Sequence, residues 1–104
     1  MLIVTTDSIA DRKIVKVLCL VKGSTLRSKN IGKDIGAGLK GIVGGELNAY
    51  TEMLTESRQI AIGRMVEEAE SMGANAIVAL RLQSAAVMQG AAEMVAYGTA
   101  VVIE

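Results

Sequence analysis

The chain contains no histidine, no proline, no phenylalanine and no tryptophan, and it has only two tyrosines and one cysteine among its 104 residues. Without histidine it lacks the commonest general acid–base group near neutral pH and the commonest imidazole metal ligand. The lone Cys19 has no internal disulfide partner, which fits a reducing compartment. Large aromatic side chains usually carry much of a small core's burial. Here Leu, Ile, Val, Met and many Ala must replace them, and Ala buries little area, so one copy on its own is marginal despite a hydrophobic content of 51%. A surplus of charge is missing too: Lys plus Arg and Asp plus Glu each number 11, for a formal charge of zero. Nucleic-acid binders carry a basic excess that displaces counterions, so no nucleic-acid partner is expected. Neutrality instead lowers repulsion between copies, which suits self-assembly. No stretch approaches ~20 apolar residues free of charge, so no membrane span is expected. Residues 82–102 come nearest, but Glu93, Gly90 and Gly98 interrupt them. The opening residues, 1–6, read as a strand rather than as a basic leader with an apolar h-region, and a cytoplasmic protein is expected.

What is present reads as a single domain over residues 1–104, enough for one core. Residues 2–6 are short and β-branched, a predicted strand, and the apolar run 14–21 is a second, closed by Lys22-Gly23-Ser24; the two could pair as a hairpin. Glycines crowd residues 32–45, with Ile31, Ile35, Leu39, Ile42 and Val43 at roughly helical spacing, which predicts a short Gly-rich helix ended by Gly44-Gly45. The clearest element is a long helix over 47–72. Leu47, Tyr50, Leu54, Ala61, Met65, Ala69 and Met72 fall on one stripe; Glu52, Glu56, Gln59, Gly63, Glu67 and Glu70 fall opposite, and Gly73 is a natural stop. Residues 76–84 and 94–103 read as strands joined by a turn at Gln89-Gly90-Ala91. Both strands are apolar on both faces, whereas a sheet with one wet face alternates. One helix covers one face at most, so the other must meet a second layer or another chain. The expected class is therefore α+β: a small mixed or antiparallel sheet, one long helix and one short one, in a chain that associates with itself.

Several residue groups carry both a chemical reading and a plainer one. Gly36-Ala37-Gly38-Leu39-Lys40-Gly41 matches G-x-G-x-x-G, but no strand immediately precedes it, and close packing of glycines explains it better than a nucleotide loop. Lys22, Arg27, Lys29, Lys33 and Lys40 could hold an anion or simply be solvated. Cys19 could be a nucleophile or soft-metal ligand, yet with Leu18 and Leu20 beside it and no histidine to activate it, a small strand hydrophobe is the simpler expectation. Asp7 with Asp11 could ligate a hard cation and are more simply turn residues. The six methionines sit at core-like spacings rather than forming a thioether site. Arg58 lies inside the apolar stripe, where a guanidinium either snorkels or pairs, with Asp34 or Glu46, within or across chains. Lys33, Asp34 and Arg58 are the only polar cluster on which an enzyme with an intersubunit cleft could rest.

Thr5-Thr6, Gly23, Asn30 with Asp34, Ala37-Gly38, Ile42-Val43-Gly44-Gly45, Ala49-Tyr50, Leu54, Arg58, Ala61, Gly73-Ala74-Asn75-Ala76 and Gly98-Thr99-Ala100-Val101 resemble, over nearly the full length, the YbjQ-like family, also called the "putative heavy-metal-binding domain" family. The stretch 30–58 is the most specific part. The resemblance implies an α+β subunit in a homopentameric ring of β/α-propeller type, with no established enzyme activity. It makes Asn30, Asp34, Gly38, Gly44, Gly45, Tyr50 and Arg58 structural or interfacial candidates. Family members often carry large aromatics where Ile35 and Gly36 stand and acidic residues where Arg81 and Gln83 stand; a cation and an amide in that strand remove hard-metal ligands. The leading expectation is a non-enzymatic, ring-forming homo-oligomer that binds or scaffolds, with no cofactor and no partner but itself. The alternative is a metal-binding protein that uses Cys19 and carboxylates, Asp7 and Asp11 among them, at sites shared between subunits.

Overall fold

A computed structural model describes residues 1–28, 44–88 and 91–104. In chain order these form β1 (Leu2–Ile3), β2 (Ile14–Ser28), α1 (Gly44–Ser71), β3 (Ala76–Met88) and β4 (Ala91–Ile103). The expected α+β class holds: one helix lies on a four-stranded mixed sheet of order β1-β3-β4-β2. β1 runs parallel to β3, while β4 is antiparallel to both β3 and β2. The expected Gly-rich helix falls largely outside the described residues. Its last two glycines, Gly44 and Gly45, open α1 rather than break before it.

The β1–β2 hairpin is not formed. The two strands sit on opposite edges of the sheet, because β1 finds its partner in β3, pairing Leu2 with Ala76 and Ile3 with Ile77. The segment after β1 continues that contact. Val4 N donates to the Ile77 carbonyl at 2.9 Å, Ala79 N to Thr6 at 2.9 Å and Leu80 N to Val4 at 3.1 Å. These bonds satisfy a bulge in β3 between Val78 and Arg81, where Ala79 takes φ 56°. Gly98 stands across from the bulge: a Cβ there would lie 2.8 Å from Ile77 Cγ2 and 3.0 Å from the Val78 carbonyl oxygen.

β2 is longer than its sequence suggests. It runs through Lys22-Gly23-Ser24, the expected stop, to Ser28. Gly23 is no terminator here. It is the point where the helix backbone crosses the strand, and a Cβ would land on the Ala61 carbonyl oxygen and the Met65 amide nitrogen. The contact is fastened by side chains on either side: Arg64 donates to the Ser24 carbonyl at 2.6 Å and to Thr25 Oγ1 at 3.2 Å, and Glu68 Oε1 accepts from Lys22 N at 2.9 Å.

The core explains how the chain folds without large aromatics. On the helix side Val21, Ala61, Met65, Ala69, Ile77, Met94, Ala96 and Ala100 are buried together. Alanines on both facing surfaces, with Gly23 between them, let helix and sheet approach closely, so methyl groups fill the space that aromatic rings take elsewhere. The polar stripe of α1 is as expected: Glu52, Glu56, Gln59, Gly63, Glu67 and Glu70 are all exposed. Gly73 ends the helix at φ 87°, with Gly73 N on the Glu70 carbonyl at 3.0 Å and Ala74 N on that of Ala69 at 3.1 Å, a Schellman closure. Asn75 then acts as a piece of strand. Its Nδ2 donates to the Ile103 carbonyl at 2.9 Å and its Oδ1 accepts from Ile103 N at 2.7 Å.

The face away from the helix meets a second layer at one end, the first of the two expected alternatives. A second buried cluster, Ala76, Val78, Val101 and Ile103, is covered by Val4, Ile9 and Ile14 of the same chain. The N-terminal segment is thus the second layer there. It turns back at Asp11, φ 65°, where Ile9 and Arg12 bridge. It does not extend over the other end of the sheet.

Candidate functional site

The sheet has a packed end and an open end. A strand of 15 residues at ~3.4 Å each is about 50 Å long, and β2 sets the long axis of a molecule measuring 53 × 22 × 16 Å. At the open end α1 lies over β2 and β4 and scarcely meets β3. Every residue of β3 from Arg81 to Met88 is therefore exposed, apolar ones included. The strand registers place Leu82 beside Ala96 and Ala86 beside Ala92 on the helix side, and Arg81, Gln83 and Ala85 beside Tyr97, Val95 and Glu93 on the other. At this end Leu26 of β2 and Val87 and Met88 of β3 are between 52% and 65% exposed, whereas Val17 and Leu20, also exposed, stand beside Val101 and Thr99 toward the packed end. Leu26, Leu82, Val87 and Met88 thus leave a cluster of large apolar groups in water at the open end.

Two hollows mark the open end, one on each face. On the helix side a groove of about 230 Å³ lies between Tyr50, Met53 and Leu54 of α1 and Ala86, Met88 and Ala92 of the sheet. On the far side a hollow of about 220 Å³ is lined by Gln83, Ser84, Ala85, Glu93, Val95 and Tyr97. Both fall below the roughly 300–1,000 Å³ of a ligand cavity. The open end is thus a surface with two shallow depressions.

The predicted site residues distribute unevenly over this frame. Tyr50 borders the groove on the helix side. Arg58 is half-buried about two turns further along, where its Nη2 donates to Thr55 Oγ1 at 3.2 Å, and it lines neither hollow. Gly44 and Gly45 lie at the start of α1. Asn30, Asp34 and Gly38 lie outside the described residues, as does Lys33, so the Lys33–Asp34–Arg58 cluster is not assembled among the residues described. Asp7 and Asp11 are exposed in the segment between β1 and β2. Cys19 is exposed, not enclosed among apolar groups. The register shift between Val17 and Cys19 gives the inward place to Leu18, which packs against the helix-side cluster.

Heavy metals favour thiolates, and hard cations need several oxygens. Among the described residues no three Cys, Asp or Glu side chains gather as a set that could hold a metal ion. One thiol per chain on an edge strand does not fit a resident heavy metal within the chain. Arg81 stands where a carboxylate would help, and its guanidinium is engaged with the Thr5 and Leu80 carbonyls at 3.0 and 2.8 Å. Among the described helices none is long and apolar enough to cross a membrane.

Sequence reasoning missed the residues that shape this end. The two-sided apolar character of β3 and β4 was visible, but not that the helix would leave β3 uncovered, since nothing in periodicity says over which strands a helix lies. Gly23, a glycine inside an apolar strand run, was the available signal.

Known proteins place this architecture. A crystal structure of a protein of unknown function from Pediococcus pentosaceus, assigned to the DUF74 family, matches with TM-score 0.64 at 18% identity, covering 100% of this chain and 98% of that one, a likeness of fold alone. A UPF0145 protein of Clostridioides difficile is 70% identical over 100% of this chain and 93% of its own length. One from Clostridium perfringens is 65% identical over 100% and 98%, and one from Methanosarcina acetivorans 55% identical over 99% and 97%. The pattern of the YbjQ family, described as "Putative heavy-metal-binding", matches residues 1–104, and the chain belongs to that family.

Proposed function

We propose that the protein is a non-enzymatic, ring-forming homo-oligomer, a pentamer, that serves as a binding or scaffold protein. The observation that carries this reading is the open half of β3, which the chain's own helix leaves uncovered, with Leu82, Val87 and Met88 exposed. The shape agrees with it. The radius of gyration is 17.1 Å, where a compact domain of this length has about 13 Å. Such a chain gains burial that its aromatic-free core lacks by packing the open end against copies of itself, and the absence of net charge lets the copies approach. Under this reading Tyr50 and Arg58, with Asn30, Asp34 and the glycines Gly38, Gly44 and Gly45, serve structure and contact between chains. Folding coupled to assembly makes the melting temperature depend on protein concentration. Thermal unfolding across a hundredfold dilution is expected to show a steady fall in the midpoint, and a midpoint that does not move with dilution contradicts the proposal.

The exposure of Cys19 favours one second reading, a metal-binding protein whose sites form between subunits. A thiol turned outward on an edge strand is available to a neighbouring chain, and assembly multiplies a single ligand per chain. Elemental analysis of protein purified without chelator tests it. Stoichiometric soft metal supports this reading; none, with no change in melting on adding Zn²⁺ or Cu⁺, ends it.

A further inference from the structure

We propose that the sheet face away from the helix carries a nucleotide site, in which the base stacks on Tyr97 and the phosphate is held by Lys22 and Arg81. The inference goes beyond the oligomer reading above and does not depend on it, because one chain supplies every side chain. The strand registers set Lys22 of β2 and Arg81 of β3 directly beside Tyr97 of β4, one on each side. Residues opposed in this way on one face hold their Cβ atoms about 5 Å apart. Val21, Gly23 and Ala96, chain neighbours of that row, face the helix, so the row itself faces away from it. Tyr97 is 37% exposed. An open aromatic ring between two cations has a specific complement: a flat π-system that carries negative charge.

The two cations are placed to take an anion. Arg27, further along β2, is ion-paired with Glu56 at 3.1 Å, whereas among the described residues the side chains of Lys22 and Arg81 have no carboxylate partner. Glu68 does reach Lys22, but its carboxylate accepts from the backbone amide. Arg81 is oriented in advance, because its Nη1 donates to the Thr5 and Leu80 carbonyls at 3.0 and 2.8 Å. Nε and Nη2 are left for an oxyanion, in the two-pronged geometry that phosphate favours. The hollow of about 220 Å³ begins at Tyr97 and continues over Val95 to Glu93, with Gln83 on its β3 side. Gln83 stands about 7 Å along the sheet from the Tyr97 row, where its amide meets the edge of a stacked base. The same face limits the ligand to a single nucleotide. A nucleic-acid strand is held by successive aromatics along a basic groove. Here there is one aromatic, a carboxylate at the far end of the hollow and a chain of zero formal charge.

Proton NMR titration of the wild-type protein with adenosine monophosphate tests the site and needs no variant to fold. The two tyrosines are the chain's only aromatic residues, so their ring signals stand alone, Tyr97→Leu assigns them, and Tyr50 on the helix side is the internal control. The nucleotide is expected to move the Tyr97 ring signals upfield to saturation and to leave those of Tyr50 in place. By calorimetry, Tyr97→Leu is expected to weaken binding about tenfold, as loss of one base stack does. Lys22→Gln with Arg81→Gln is expected to reduce the nucleotide to the weaker binding of adenosine. Tyr97 signals that stay in place up to millimolar nucleotide overturn the proposal. So does adenosine, or inorganic phosphate, that binds wild type as tightly as the nucleotide, since the first removes the anion contact and the second the stack. An oligoadenylate that binds more tightly per nucleotide overturns the restriction to a single one. A monomer that binds the nucleotide removes the oligomer reading and leaves this site, whereas an assembly whose Tyr97 signals ignore it removes this site alone.

Discussion

Gly23 and Gly63 are both glycines in regular elements, yet the structure uses only one of them. At Gly23 the space for a side chain is already taken by the helix backbone at Ala61 and Met65, with Arg64 Cβ 2.8 Å away. Backbone atoms on both sides have nowhere to move, so a methyl group forces helix and strand apart. At Gly63, on the exposed face of α1, a Cβ meets nothing within 4 Å. The two alanine substitutions therefore carry opposite signs. Gly23→Ala is expected to cost roughly 1–3 kcal/mol as overpacking, and Gly63→Ala to add roughly 0.5–1 kcal/mol through helix propensity and a restricted unfolded chain. Denaturant midpoints at equal protein concentration check both; equal shifts in the same direction would show that the helix does not cross the strand at Gly23. The same scale shows why Cys19 was misjudged. Alternation along β2 points it toward the helix, as for Val21, Gly23 and Thr25, and the irregularity after Val17 hands that place to Leu18. A bulge leaves no mark in composition, and a one-residue shift is enough to reverse a face.

At the scale of elements, the long helix and the last two strands were legible because their signals are local. The exposed stripe from Glu52 to Glu70 and the stop at Gly73 lie where periodicity and turn chemistry put them. The pairing of β1 was not legible. Two short apolar runs separated by polar residues look like a hairpin, and only the bulge in β3, whose amides need the Val4 and Thr6 carbonyls, decides otherwise. The covering of the outer face by Val4, Ile9 and Ile14 was equally hidden, since it depends on that pairing. The open half of β3 yields a distinct expectation for hydrogen exchange. In a lone chain alternate amides between Leu82 and Met88 bond to β4 and the rest face water, so protection should alternate along the strand. Under the proposed assembly a neighbouring chain that covers this edge would bond the outward amides too. Exchange measured at high and at low protein concentration is expected to convert uniform protection into an alternating pattern. Alternation that persists unchanged at high concentration would mean that no strand covers the edge.

At the scale of the whole molecule, the two ends of the sheet are packed differently. One end is closed on both faces by its own helix and N-terminal segment; the other presents Leu82, Val87, Met88 and Tyr97 to solvent. That division was partly foreseen from two strands apolar on both faces, with Glu93 the only charge between Arg81 and Glu104. Which end would stay open was not, because it depends on where a helix of 28 residues comes to rest on strands of 13 and 15. The site is hard to read for the same reason: under the proposed assembly its surface would be completed by another copy and has no motif within one chain. Native mass spectrometry of the unmodified protein at micromolar concentration addresses this most directly. The expected spectrum is dominated by a species of five times the 10.9 kDa chain mass; one showing only the single chain at every concentration tried contradicts the account.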